Sequence, residues 1–258
     1  LTVVDIFLFI YFLHYITQSV KFETIIHRIY DDTNEALRKT CTIREKPSES
    51  SDKVNGREIA AIESGLYQGF EKDSLINLCK KEDVTLHFPH SIGTFIMENT
   101  PLVNIVSRDG VSENFEEKLR VLITVGREQE IKTSYYYGFR QLMEVAIKAL
   151  SPGINDPGTA TIALQAIGDL MAYRMVHFPI LYYTDKGGAV RIVAKEKSFE
   201  DLFEEYILPI WDYGKEDRLI QKEMLHILSL LDKVGKSPAV SRLLNEVQTA
   251  KKENPTKA

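Results

Sequence analysis

The chain has 258 residues, and 32 Lys and Arg against 37 Asp and Glu leave a formal charge of −5. A net acidic chain with no basic block is a poor match for a phosphate backbone, so nucleic acid is excluded as the expected partner. Its 44% hydrophobic and 27% charged residues exclude global disorder and a multi-span membrane bundle, and its two cysteines, Cys41 and Cys79, exclude a disulfide scaffold.

Residues 3–16 (VVDIFLFIYFLHYI) are nearly all apolar or aromatic, with Asp5 and His14 as the polar breaks. Two structures fit: a core helix, or the end of a transmembrane helix, since a full span needs about 20 such residues. The second is favoured because the run is apolar on every face, and Tyr11 and Tyr15 suit the interfacial belt. It has neither the basic start nor the small-residue cleavage site of a signal peptide. His14 is an ionisable group in a membrane segment and so a functional candidate, weighed against a plain role in helix packing. Helical patterning continues through Lys21, Ile25, Ile26, Ile29 and Leu37, defining a first region of residues 1–43. Lys21, Arg28, Arg38 and Lys39 lean cytoplasmic by the positive-inside rule.

Residues 44–56 are rich in Ser, Lys, Glu and Asp and form a linker. Short alternating runs follow at 58–62, 65–70, 84–88, 101–106 and 119–125, separated by Gly, Pro, Asn and Asp. One short helix, capped by Asp73 and carrying Leu75, Leu78 and Cys79 on one face, interrupts them. Residues 57–132 are thus predicted as a small β module, barrel- or sandwich-like. His87 and His90 have no Cys or acid at ligand spacing, so no metal is expected there.

The period changes at Tyr135. Phe139, Leu142, Met143, Ala146, Ile147 and Leu150 make a clean amphipathic helix, with Arg140, Glu144 and Lys148 on another face. The helix expected over Pro157–Val176 is apolar on most sides, which predicts a central position or contact with a second copy. A hairpin over 180–194 turns at Asp185-Lys186-Gly187-Gly188. Three further helices close the domain: 199–211, 215–234, and one capped by Ser237 with Pro238 in its first turn. The helical domain spans 133–250, and 251–258 reads as a frayed tail. The expected class is α+β.

The strongest local pattern is residues 149–160 (ALSPGINDPGTA), where Pro152 and Gly153 stop one helix while Asp156 caps the next and Pro157 fills its first position. A structural corner explains it. The functional alternative is a ligand site built from Arg140, Ser151, Asn155 and Asp156 beside exposed N–H groups. Tyr135-Tyr136-Tyr137 fits aromatic packing at a helix start or stacking on a ligand. Nucleophile elbows, phosphate loops and zinc or dinucleotide motifs are absent, so no cofactor and no catalytic residue are assigned.

Residues 137–142 (YGFRQL) with 149–160, residues 12–16 (FLHYI) with Ser19-Val20, and residues 64–68 (SGLYQ) with 92–96 (IGTFI) and Pro101-Leu102 together resemble the bacterial predicted integral-membrane proteins catalogued as Domain of Unknown Function 2254. The resemblance implies membrane helices upstream, a bacterial inner-membrane location and a soluble C-terminal region, with no established activity. Thr133-Ser134 stands where the family often has an acidic residue, and Gly158 where it usually has a larger one. The expectation is a soluble, cytoplasmic domain of a membrane protein that contacts the bilayer through its N-terminal segment. It would self-associate and serve gating or scaffolding; the alternative is a membrane-tethered enzyme or a sensor of an unidentified small molecule.

Overall fold

The computed structural model describes residues 2–19, 22–45, 56–107 and 110–253. The His14 side chain, most of the expected linker and residues 254–258 of the expected tail lie outside the described residues.

In chain order the elements are α1 (Thr2–Ser19), α2 (Phe22–Thr40), β1 (Cys41–Ile43), β2 (Arg57–Ala60), β3 (Gly65–Phe70), α3 (Lys72–Glu82) and β4 (Thr85–His87). Next come β5 (Phe95–Ile96), β6 (Pro101–Val106), α4 (Phe115–Leu122), β7 (Ile123–Gly126), α5 (Tyr135–Leu150), α6 (Pro157–Val176), β8 (Phe178–Pro179), β9 (Tyr182–Thr184) and β10 (Val190–Val193). The chain closes with α7 (Phe199–Tyr206), α8 (Leu208–Gly214), α9 (Arg218–Val234) and α10 (Pro238–Glu253). The α+β class holds, and no sheet among the described residues closes into a barrel.

Two compact units form: one from 1–34, 138–172 and 202–258, the other from 35–137 and 173–201. In the helical unit, Ala160, Ala163, Leu164, Ile167, Leu170 and Met171 of α6 are fully buried. The exposed positions of α6 are Gly158, Gln165, Asp169 and Val176. Gln165 reaches Glu223 at 2.9 Å, and Tyr30 donates to Asp169 at 2.6 Å. The apolar character of this helix is therefore used inside the chain. The expected 199–211 helix breaks at Ile207 into α7 and α8, because Pro209 has no N–H to continue the ladder. Asp217 caps α9, accepting from the backbone N–H of Leu219 and Ile220. Trp211 is buried and donates from Nε1 to Glu246 at 2.6 Å.

In the sheet unit the largest sheet runs β2-β6-β4-β10-β9. The expected hairpin forms, but β10 pairs in parallel with β4 (Ile192 opposite Leu86), so the hairpin completes the β module's own sheet. Asp185 anchors the turn by accepting from Gly187 and Ala189 N–H and from Arg191, which also reaches Asp83 at 2.8 Å. Gly188 turns the chain at φ +84, where a side chain would be strained. A second sheet orders β5-β3-β7, and a short ribbon pairs β1 with β8. Two expectations change. The 119–125 run is not one strand, because α4 occupies it up to Leu122 and buries Phe115 and Leu119. The cap of α3 is Glu71 rather than Asp73; its carboxylate accepts the Ser74 N–H at 2.9 Å.

Candidate functional site

The turn between α5 and α6 is held by its own side chains. Ser151 Oγ donates to the Lys148 carbonyl at 2.7 Å, and Asp156 accepts from both the N–H and the hydroxyl of Thr159. These bonds hold the Asp156 carboxyl below the usual carboxylate range, the Thr159 hydroxyl contributing most. A cap of this kind is worth about 1 kcal/mol. Asn155 is exposed and in the left-handed region at φ 49. Arg140 pairs with Glu144 at 2.8 Å, one turn along α5. None of the four sequence-chosen residues lines either of the two clefts of the sheet unit described next.

Those clefts adjoin, sharing Tyr67, Gln68 and Ile92. The larger, about 590 Å³, lies along β3, β7 and the approach to α5, with Gly93, Arg127, Glu130 and Thr133 among its walls. Ser134 also lines it, and its Oγ is buried with no hydrogen-bond partner among the described residues. The Thr133-Ser134 position is therefore a cleft wall. Gln68 is held against the rim by donating to the Glu128 carbonyl at 2.6 Å.

The smaller cleft, about 160 Å³, opens where β10 runs on into Ala194, Lys195 and Glu196. Burial pushes the Glu196 carboxyl up to about 7, although a hydrogen bond from Tyr136 and the charges of Arg174 and Lys197 pull the other way. Tyr136 Oη donates to Glu196 Oε2 and accepts the Lys197 backbone N–H at 3.1 Å. Tyr136 also shares a hydrogen bond with Tyr135, their ring centroids 4.2 Å apart. The buried Cys41 thiol donates to Tyr135 Oη at 3.9 Å, and Tyr173 Oη donates to the Cys41 carbonyl at 3.0 Å. A polar relay thus runs from the cleft to Cys41, the residue immediately after α2. Both cysteines are buried free thiols; burial pushes Cys41 up to about 11 and Cys79 up to about 12, which suits inert core thiols.

Arg174 lies beside this relay, 3% exposed, with Nη1 on the His177 carbonyl (3.2 Å) and Nη2 on the Lys197 carbonyl (2.8 Å). Its guanidinium also bonds the Tyr135 side chain, and its Nε is buried with no hydrogen-bond partner among the described residues. Among the described residues no three of His, Cys, Asp or Glu gather to hold a metal. His90 Nε2 is occupied by the Pro101 carbonyl at 2.8 Å.

Sequence reasoning singled out the tyrosine run at 135–137 but missed Glu196, Arg174, Tyr67 and Tyr183. Glu196 sits between two lysines and reads locally as solvated charge. Only a contact 60 residues away, from Tyr136, turns it into a partly buried, hydrogen-bonded acid.

Comparison with known proteins gives a family and uncharacterised relatives. The family described as "Predicted membrane protein (DUF2254)" matches residues 1–229. Uncharacterized proteins of Mycobacterium bovis and Mycobacterium tuberculosis are each 25% identical over 248 residues, covering 89% of this chain and 46% of their own length. The chain therefore spans about half the length of the curated relatives it matches. No solved structure matches it.

Proposed function

This chain belongs to the DUF2254 family of predicted membrane proteins, and from that premise we propose that it is an extramembrane region with a gating role. In this reading the Glu196 cleft is the sensing site, and the end of α2 is the element it acts on. The observation that carries it is the relay Glu196–Tyr136–Tyr135–Cys41, which links a group titrating near neutrality to the residue immediately after α2. A buried network with every link satisfied has discrete arrangements, and protonation at one end biases the other.

α1 precedes α2 by two residues, and its apolar and aromatic side chains from Val4 to Phe12 are all more than half exposed. So much apolar surface on one helix marks a membrane or protein contact, and family membership favours lipid. No helix among the described residues is long and apolar enough to cross a membrane by itself. Arg28, Arg38 and Lys39, on the helix that follows, favour the cytoplasmic side. Self-association is not needed by this reading, since α6 spends its apolar residues within the helical unit.

Amide exchange across 35–43, followed by mass spectrometry in wild type and Glu196→Gln, tests the proposal. Wild-type protection is expected to change with a midpoint near pH 7, and the variant to show no such transition. Identical, pH-independent protection in both would overturn the gating role and leave scaffolding as the surviving reading.

A further inference from the structure

We propose that the larger cleft is itself a binding site, for an uncharged small molecule whose ring carries a carbonyl beside an N–H, the hydrogen-bonding edge of a pyrimidine nucleobase. The inference goes beyond the Glu196 reading and does not depend on it.

The first observation is the hydroxyl of Ser134. This residue directly precedes α5, where a serine ordinarily caps the helix by accepting a first-turn N–H. Here its Oγ is buried and has no hydrogen-bond partner among the described residues. A buried hydroxyl left unpaired is costly, so a polar group that enters the cleft and pairs with it is favoured. The second observation is where that hydroxyl lies. Gly93 lines the same cleft in the left-handed region at φ +85, its N–H donating to the Tyr67 carbonyl at 2.7 Å. A Cβ placed there would have Ser134 Oγ at 3.7 Å and Gln129 Nε2 at 3.9 Å as its nearest neighbours. The space that the glycine leaves open is therefore bordered by two donors, and one carbonyl oxygen placed over Gly93 comes within reach of both.

The rest of the lining selects the ligand. Gln68 commits its Nε2 to the Glu128 carbonyl, which leaves Oε1 to accept the ring N–H. Leu66, Ile92 and Val125 are half-buried and supply an apolar wall for a flat ring. The charged residues of the lining, Arg127, Glu128 and Glu130, are all exposed, so charge sits at the rim, two carboxylates against one guanidinium. That balance disfavours an anion, and the half-buried polar groups, Gln68, Gln129 and Ser134, are all neutral. A volume of about 590 Å³ falls within the range of roughly 300–1,000 Å³ usual for small-molecule sites and admits a nucleoside.

Isothermal titration calorimetry of the full chain with uridine tests the site, and thermal unfolding without ligand tests the hydroxyl. Uridine is expected to bind with an affinity that stays constant between about 50 and about 500 mM NaCl, since an uncharged ligand leaves little for salt to screen. Its monophosphate, which brings a negative charge to the acidic rim, should bind more weakly than uridine. Ser134→Ala and Gln129→Ala should each weaken uridine by about tenfold. Without uridine, Ser134→Ala should unfold at the wild-type temperature or above it, because it deletes a hydroxyl that pairs with nothing in the unliganded chain. A serine acting as a helix cap would instead lose several degrees on the same change. Absence of uridine heat in wild type, a monophosphate that binds as tightly as uridine, or a Ser134→Ala chain that binds like wild type would each overturn the assignment. So would a lowered unfolding temperature for Ser134→Ala, which would make the residue a cap.

Discussion

Gly138→Ala is expected to lower the unfolding free energy of the helical unit by about 3 kcal/mol, the upper part of the usual range for overpacking. Gly138 lies on α5 where it passes α2. A Cβ there would sit 1.8 Å from Thr33 Oγ1 and 2.8 Å from Thr33 Cβ and Cγ2. Thr33 is fully buried, and its hydroxyl is tied to the Ile29 carbonyl of its own helix, so it cannot swing aside. Two helices must part to admit one methyl group. Urea unfolding followed through Trp211, the single tryptophan and buried in the same unit, reads the loss. Thr33→Ala in the Gly138→Ala background removes the nearest clashing atoms and should restore about 1 kcal/mol as a coupling between the sites. A loss below about 0.5 kcal/mol for the single variant would show that the helices do not meet this closely. The close approach also gives physical meaning to the glycine in the YGFRQL segment that carries the family resemblance.

Wild type is expected to lose on the order of 2 kcal/mol of stability relative to Glu196→Gln between about pH 5 and about pH 8. The sign follows from the direction of the shift. Glu196 has an ordinary value of 4.5 when unfolded and about 7 in the fold, so the native state holds its proton over a range where the unfolded chain has released it. Stability attached to this group is present below about 4.5, declines as pH rises through the interval, and is gone above about 7. Glutamine has no proton to lose, so the gap between the two proteins opens only on the alkaline side. Thermal unfolding at several pH values measures it. A constant gap, or one that widens toward acid, would place Glu196 in a solvated or ion-paired setting instead.

The sequence was most legible where structure is local. The 3.6-residue spacing from Phe139 to Leu150 and the Asp156-Pro157 start made α5 and α6 readable to the residue. Caps were less certain, since Glu71 and Asp73 are both plausible and only backbone geometry selects Glu71. The 119–125 run mixes a helical face, Phe115 with Leu119, and a true strand after Leu122, so alternation alone merged them. The parallel pairing of β10 with β4 was hidden because nothing in either strand records a partner 106 residues away (Ile192 and Leu86). The site was hidden for the same reason. Tyr67, Tyr136, Tyr183 and Glu196 come from four separate segments, and each reads alone as strand, helix start, hairpin or surface charge. At 149–160 the sequence displayed a dense local pattern, and the structure accounts for its Ser151 and Asp156 side chains as caps.

The claim on which the rest depends is that Glu196 is a partly buried acid with a raised carboxyl, joined to the tyrosine relay. Carbon-13 NMR of the Glu196 carboxyl, assigned by comparison with Glu196→Gln, measures it directly. The account predicts a midpoint near 7, with the Tyr136 ring carbons shifting over the same pH range. A midpoint close to 4.5, with Tyr136 unmoved, would contradict it.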